Sequence, residues 1–157
     1  MDAATFIGLT AICAPLVHPT TSQAIASTES AFNENAIGVV TAHLERQPQN
    51  VEEALATASA LRTQGRNFSI GLAQINMRTL DRFHMTLADG FDACKNLRAM
   101  QTVLCECHAR AGSSTDAQAT LRRALSCYYS GNFTTGFRHG YVSRVVSSAQ
   151  KTARAPP

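Results

Sequence analysis

Two helix-like stretches separated by only five residues constrain this chain more than any other feature. Leu97, Met100, Val103 and Leu104 recur at helical spacing in the first, and Leu121, Ala124, Leu125 and Tyr128 in the second. Between them, Gly112-Ser113-Ser114-Thr115-Asp116 reads as a turn that ends in a helix cap. So short a connection implies an antiparallel pair, with helices over about 94–111 and 117–130.

The cysteines bear on that pair. Cys13, Cys94, Cys105, Cys107 and Cys127 form no CxxC motif, and no His lies at a zinc-like spacing from two of them, so no metal site is expected. Cys105 and Cys107 sit two apart on a helix, point to different sides and cannot easily bond each other. Cys107 is the better candidate to face Cys127 across the helix pair. Two readings stand: disulfides made in an oxidising compartment with one thiol left over, which is favoured, or five buried apolar thiols.

The rest of the chain reads as one domain over 1–150 with a tail at 151–157. Its 157 residues are 45% hydrophobic and 16% charged, enough to build a core and unlike a disordered chain. The net charge of +3 is scattered, with no Lys/Arg block, so nucleic acid is not an expected partner. The apolar run Ala3 to Ala14 lacks the basic flank of an export signal and is too short to span a bilayer, which takes about 20 residues. A first core helix ended by Pro15 is the expectation, with no membrane insertion.

Pro19 followed by Thr20, Thr21 and Ser22 predicts a helix over about 20–32, started by those hydroxyls. Residues 33–50 read as irregular, with an extended piece at 36–40. Asn50 and Glu53 have the form of a capping box for a helix that Gly65 stops. Phe68, Ile70 and Leu72 alternate with small or polar residues, predicting an extended piece within 67–76, where Gly71 permits close backbone approach. A short helix at 79–87, loops at 88–93 and 131–136, an Asp92 cap and a last helix at 141–149 complete the reading. There is no internal repeat.

Glu29 is the candidate working acid. It lies four residues after Ile25, beside the buried stripe of its helix and in the last turn. The helix dipole and apolar neighbours both disfavour its charge there, so the carboxyl should hold its proton towards neutral pH.

Three motifs in order carry a resemblance. Glu29-Ser30-Ala31-Phe32-Asn33, Gly71-Leu72-Ala73-Gln74-Ile75-Asn76 and Cys127-Tyr128-Tyr129-Ser130-Gly131 resemble the motifs of lysozyme-like lytic transglycosylases, over about residues 13–147. The likeness is closer to the VirB1 branch of type IV secretion and conjugation systems. It rests on Cys13-Ala14-Pro15, on 36–40, on 67–74, on 91–97 and on 126–133. The resemblance implies a predominantly helical α+β fold of lysozyme type, with a small extended or β region beside a cleft. It implies cleavage of the bond between N-acetylmuramic acid and N-acetylglucosamine in peptidoglycan, with a 1,6-anhydromuramoyl product. It further implies no metal or organic cofactor and service to a secretion channel; substrate and cysteine content together point to a periplasmic place of action, and a monomer is expected.

The residues agree with that chemistry. A retaining or inverting glycosidase needs two carboxyl groups roughly 5–9.5 Å apart. Here the motifs supply only Glu29, while Glu34 reads as a turn residue and Asp92 as a helix cap. One carboxyl suffices if it first protonates the leaving oxygen and then takes the C6 hydroxyl proton. Ser69, Gln74 and Asn76 are candidate polar contacts to sugar. Tyr128 and Tyr129 offer rings to stack on sugar and hydroxyls to orient Glu29, although the wider family has Asn at the second position. Gln74 as a buried amide and Tyr128 as plain helix packing are the alternatives; Phe32 is expected in the core. His84, His108 and His139 are expected on the surface. A hydrolase on the same fold and a non-catalytic assembly module are the competing functions.

Overall fold

In the computed structural model, which describes residues 1–154, nine helices surround a sheet of three short strands. The fold is predominantly helical α+β, as expected. Asp2 caps α1 (Ala3–Cys13) by accepting from the Thr5 amide. Phe6 and Cys13 bury one side of that helix. The next helix, α2 (Pro19–Ser30), starts one residue earlier than expected. The hydroxyls at 20–22 do not cap it. His18 does, its Nδ1 accepting from the Thr20 amide at 3.3 Å, because Pro19 has no amide hydrogen and Thr20 offers the first free one.

Strand β1 (Ile37–Val39) follows, then α3 (Val51–Thr63). Asn50 caps α3 through the Glu53 amide, while the Glu53 carboxylate reaches back to the Gln49 amide, one residue beyond the box pattern. Gly65 takes the left-handed conformation after the helix. The extended piece at 67–76 resolves into two strands, β2 (Phe68–Ile70) and β3 (Ile75–Asn76), with a tight turn between them. The sheet order is β1-β2-β3, all antiparallel. Gly38, Ser69 and Asn76 pair in one row across it, and Ile37, Ile70 and Ile75 in the next, buried row.

The segment from 77 to 92 holds more helix than expected. Helix α4 (Met77–Arg82) starts on an Asn76 cap, and α5 (Leu87–Phe91) stands where a loop was expected. Thr86 and Asp89 make a reciprocal capping box that is enough to start α5. Asp92 then caps α6 (Ala93–Arg110) and Asp116 caps α7 (Ala117–Ser130). These two helices form the antiparallel pair, joined by the Cys107–Cys127 disulfide. A second disulfide, Cys13–Cys94, ties the end of α1 to the start of α6, and Cys105 remains a free, exposed thiol. The short helix α8 (Thr135–Arg138) interrupts the expected loop after α7. Helix α9 (Tyr141–Arg154) runs past the expected end at 149 and packs along α2. The last part of the expected tail, 155–157, lies outside the described residues. No described helix is long and apolar enough to cross a membrane.

Asn96 joins these layers. It is 0% exposed, and its side-chain amide donates to Ile70 O at 3.0 Å and Gly90 O at 2.7 Å while its Oδ1 accepts from the Ala73 amide at 2.9 Å. One side chain on α6 thereby holds the β2 strand, the end of α5 and the turn before β3. Gly71 makes the approach possible: its φ is +80°, and a Cβ there would lie 2.3 Å from the Asn96 amide nitrogen.

Candidate active site

Helix α2 ends in an uncommon way, and that end sets the position of Glu29. Ala31 and Phe32, neither of them glycine, both take left-handed backbone conformations, with φ of 50° and 62°. Their amides donate back to Ser27 O and Ala26 O, which closes the helix one residue after Ser30. Phe32 turns inward and meets the Phe6 ring edge-on at 5.1 Å, so it packs on the core. The Ser30 hydroxyl donates to Leu72 O at 2.8 Å, pinning the helix end to the turn between β2 and β3.

Glu29 therefore projects from the last turn into a cleft of about 490 Å³. The structure places every sequence-level site residue on this cleft: Glu29, Ser69, Gln74, Asn76, Tyr128 and Tyr129. Among the described residues Glu29 is its only carboxylate. Burial pushes the Glu29 carboxyl up to about 7; the Tyr141 hydrogen bond and the Arg144 charge act the other way. Burial is the largest cause of the shift.

The hydroxyl that holds Glu29 belongs to neither of the expected tyrosines. Tyr141, the first residue of α9, donates to Glu29 Oε1 at 2.6 Å across 112 residues of sequence. Tyr128 donates instead to Ala73 O at 2.7 Å and so anchors the same turn as Asn96. Tyr129 stacks on Tyr141, with ring centroids 4.6 Å apart, and its hydroxyl meets His139 Nδ1 at 3.2 Å. Tyr129 is 41% exposed, which leaves its outer face open to the cleft. Burial and the Glu29 charge push Tyr128 and Tyr141 well above the usual phenol range, so both act as neutral donors.

The polar residues divide into busy and free groups. The Asn76 amide donates to Asn67 Oδ1, Phe68 O and Ser69 Oγ, and its Oδ1 caps α4. It serves first as a strap across the sheet. The Gln74 amide donates to Ala36 O and Gly71 O, with Gln74 itself at φ 48°. Those two bonds fix its side chain along the cleft floor. Ser69 accepts from Asn76, which leaves its own hydroxyl proton to donate elsewhere. His84, His108 and His139 are exposed, as expected, but His139 also lines the cleft. Among the described residues no group of His, Cys, Asp and Glu could hold a metal ion.

Sequence reasoning missed Tyr141, His139 and Arg144. The only sequence signal for Tyr141 is a phenol heading the apolar stripe Val142, Val145, Val146, which helix packing explains equally well.

The transglycosylase SLT domain family matches residues 9–148 of the chain. The chain is 45% identical over 156 residues to the type IV secretion system protein virB1 of Brucella abortus biovar 1 (strain 9-941), covering 95% of this chain and 66% of that protein. It is 34% identical over 139 residues to the protein virB1 of Agrobacterium fabrum (strain C58 / ATCC 33970), covering 88% of this chain and 57% of that protein. The chain thus spans 66% and 57% of the length of these two relatives. No solved structure matches it.

Proposed function

The chain belongs to the transglycosylase SLT domain family, and from that membership we propose that it is a lytic transglycosylase acting on peptidoglycan. It cleaves the bond between N-acetylmuramic acid and N-acetylglucosamine and leaves a 1,6-anhydromuramoyl end. The observation that carries this reading is Glu29, the single carboxylate of the cleft among the described residues, held by Tyr141 at 2.6 Å and pushed up to about 7.

Glu29 begins protonated and gives its proton to the glycosidic oxygen as the bond to C1 breaks. The carboxylate so formed takes the proton of the sugar's C6 hydroxyl while O6 bonds to C1. The carboxyl ends protonated again, and no water enters. A pKa near working pH suits a group that must act as acid and then as base. Hydrolysis would need a second carboxylate to activate water on the opposite face, and the cleft offers none among the described residues. A purely docking role gives no reason for a partly buried carboxyl with its own hydrogen-bond donor. Ser69, Gln74 and the open face of Tyr129 bind the sugars.

The relatives' name as type IV secretion system proteins supports a place for the activity: local opening of the wall for such a channel. The protein then works in the periplasm, as a monomer, with glycan strands as substrate and secretion-system components as neighbours. The two disulfides fit an oxidising compartment. Mass spectrometry of muropeptides released from purified sacculi tests the reaction. Anhydro products, lighter by one water than their hydrolytic counterparts, are expected; reducing-end products throughout would mean a hydrolase.

Tyr141→Phe is expected to lower kcat by about 10–100-fold, the worth of one hydrogen bond to a charged group. The Tyr141 bond favours the carboxylate, so its loss lets burial raise the Glu29 carboxyl further. Because Glu29 must start protonated, the high-pH limb of the pH–rate profile should therefore move to still higher pH. A profile that stays in place while the rate falls would make Tyr141 a packing residue only.

A further inference from the structure

Glu29 does not stand at the end of the cleft but between two lobes of it. The first lobe, about 490 Å³, runs along the sheet and α7, past Ser69 and Tyr129. The second, about 540 Å³, runs the other way, between the end of α2 and the segment after β1, past Ser27, Asn33 and Ala42. Glu29, Gly38, Val39 and Gln74 line both. Each lobe has the size of an ordinary ligand pocket.

Gly38 keeps the passage between them low. An added Cβ there would lie 2.6 Å from Gln74 Oε1, on the strip of floor that the two lobes share. Gln74 is itself held down by its bonds to Ala36 O and Gly71 O. The far wall of the second lobe is fixed as well: Gln47 bonds both the amide and the carbonyl of Ile37, which straps the 41–47 segment to β1. Among the described residues neither lobe is lined by a Lys or Arg, and both present neutral hydroxyls and amides beside Glu29.

We propose that the two-lobed cleft holds glycan on both sides of the scissile bond and cuts within strands rather than trimming their ends. This rests on the transglycosylase reading above and adds to it the mode of attack. A cleft that reads a chain end closes beyond the scissile position, whereas here the floor continues past Glu29.

The test uses long glycan strands, freed of stem peptides and sized by chromatography, digested briefly with the protein. Cutting within strands predicts an early fall in mean strand length with little disaccharide. Early release of anhydro-disaccharide, with the remaining strands unshortened, would overturn the proposal while leaving the transglycosylase reading intact. Hydrolytic products, or none at all, would remove that reading and the proposal together. Ala42→Trp fills the second lobe away from Glu29 and is expected to slow strand cutting at least tenfold; Ser27→Trp repeats the test should Ala42→Trp fail to fold. A folded variant of either kind, as judged by its melting curve, that cuts strands at the parent rate would count against use of the second lobe.

Discussion

Glu29→Gln should abolish turnover and, above neutral pH, make the protein more stable. The amide keeps an oxygen for Tyr141 but can neither give nor take a proton. General acid–base catalysis by one side chain contributes about 10²–10⁴-fold, and here one group carries both proton transfers, so a loss at the upper end is expected. The stability effect has the opposite sign. The folded carboxyl titrates at about 7 against an ordinary value of 4.5. Between those pH values the folded state holds a proton that the unfolded state has released, so stability falls as pH rises through the window. The cost of the charged carboxylate, on the order of 3 kcal/mol, is fully present above pH 7. Glutamine removes it. Melting curves should show the variant ahead of the parent at pH 8 and level with it at pH 4, while clearing of purified sacculi is lost. A variant that clears sacculi as well as the parent would show that Glu29 is not the working acid.

Asn96→Ala is expected to destabilise the fold more than any surface change. It removes three hydrogen bonds at once and strands two carbonyls and one amide in the interior. Each buried group left without a partner costs about 1–3 kcal/mol, so a loss of about 3–5 kcal/mol is expected. At about 2–4 °C per kcal/mol for a domain of this size, the melting temperature should fall by roughly 10 °C or more. The turn from Gly71 to Gln74 should loosen first, because the Ala73 amide loses its partner. Hydrogen exchange at Ala73 rising ahead of global unfolding would show this local opening. Exchange at the parent rate with a normal melting curve would mean that water replaces the Asn96 side chain without loss.

The contrast between these two residues shows what the sequence makes legible. Glu29 announces itself, because a carboxylate beside an apolar stripe at a helix end breaks the local pattern. The α6–α7 pair, its disulfide and the Asp92 and Asp116 caps are legible for a related reason: each depends on residues within about twenty positions, where spacing alone decides geometry. Asn96 sits in a run quoted only for its resemblance, and nothing local distinguishes a buried asparagine from a solvated one. Tyr141 meets Glu29 only because α9 lies along α2, a packing that no local period encodes. Cys13 and Cys94 pair across 81 residues for the same kind of reason. Helix α5 escaped because five residues carry too little periodicity, although its Thr86–Asp89 box was present to be read. The six residues singled out for the site all line one cleft. Their individual bonds were not legible: the Tyr128 hydroxyl and the Asn76 amide are spent holding backbone.

The central claim is that one carboxyl makes both proton transfers, which requires it to change protonation near the working pH. Carbon-13 NMR of protein labelled at the glutamate carboxyl carbons reads that directly, with the Glu29 signal assigned by its absence in Glu29→Gln. A midpoint near 7 is expected, set by burial and held from going higher by Tyr141 and Arg144. A Glu29 carboxyl that titrates near 4.5, like an exposed glutamate, would contradict the account.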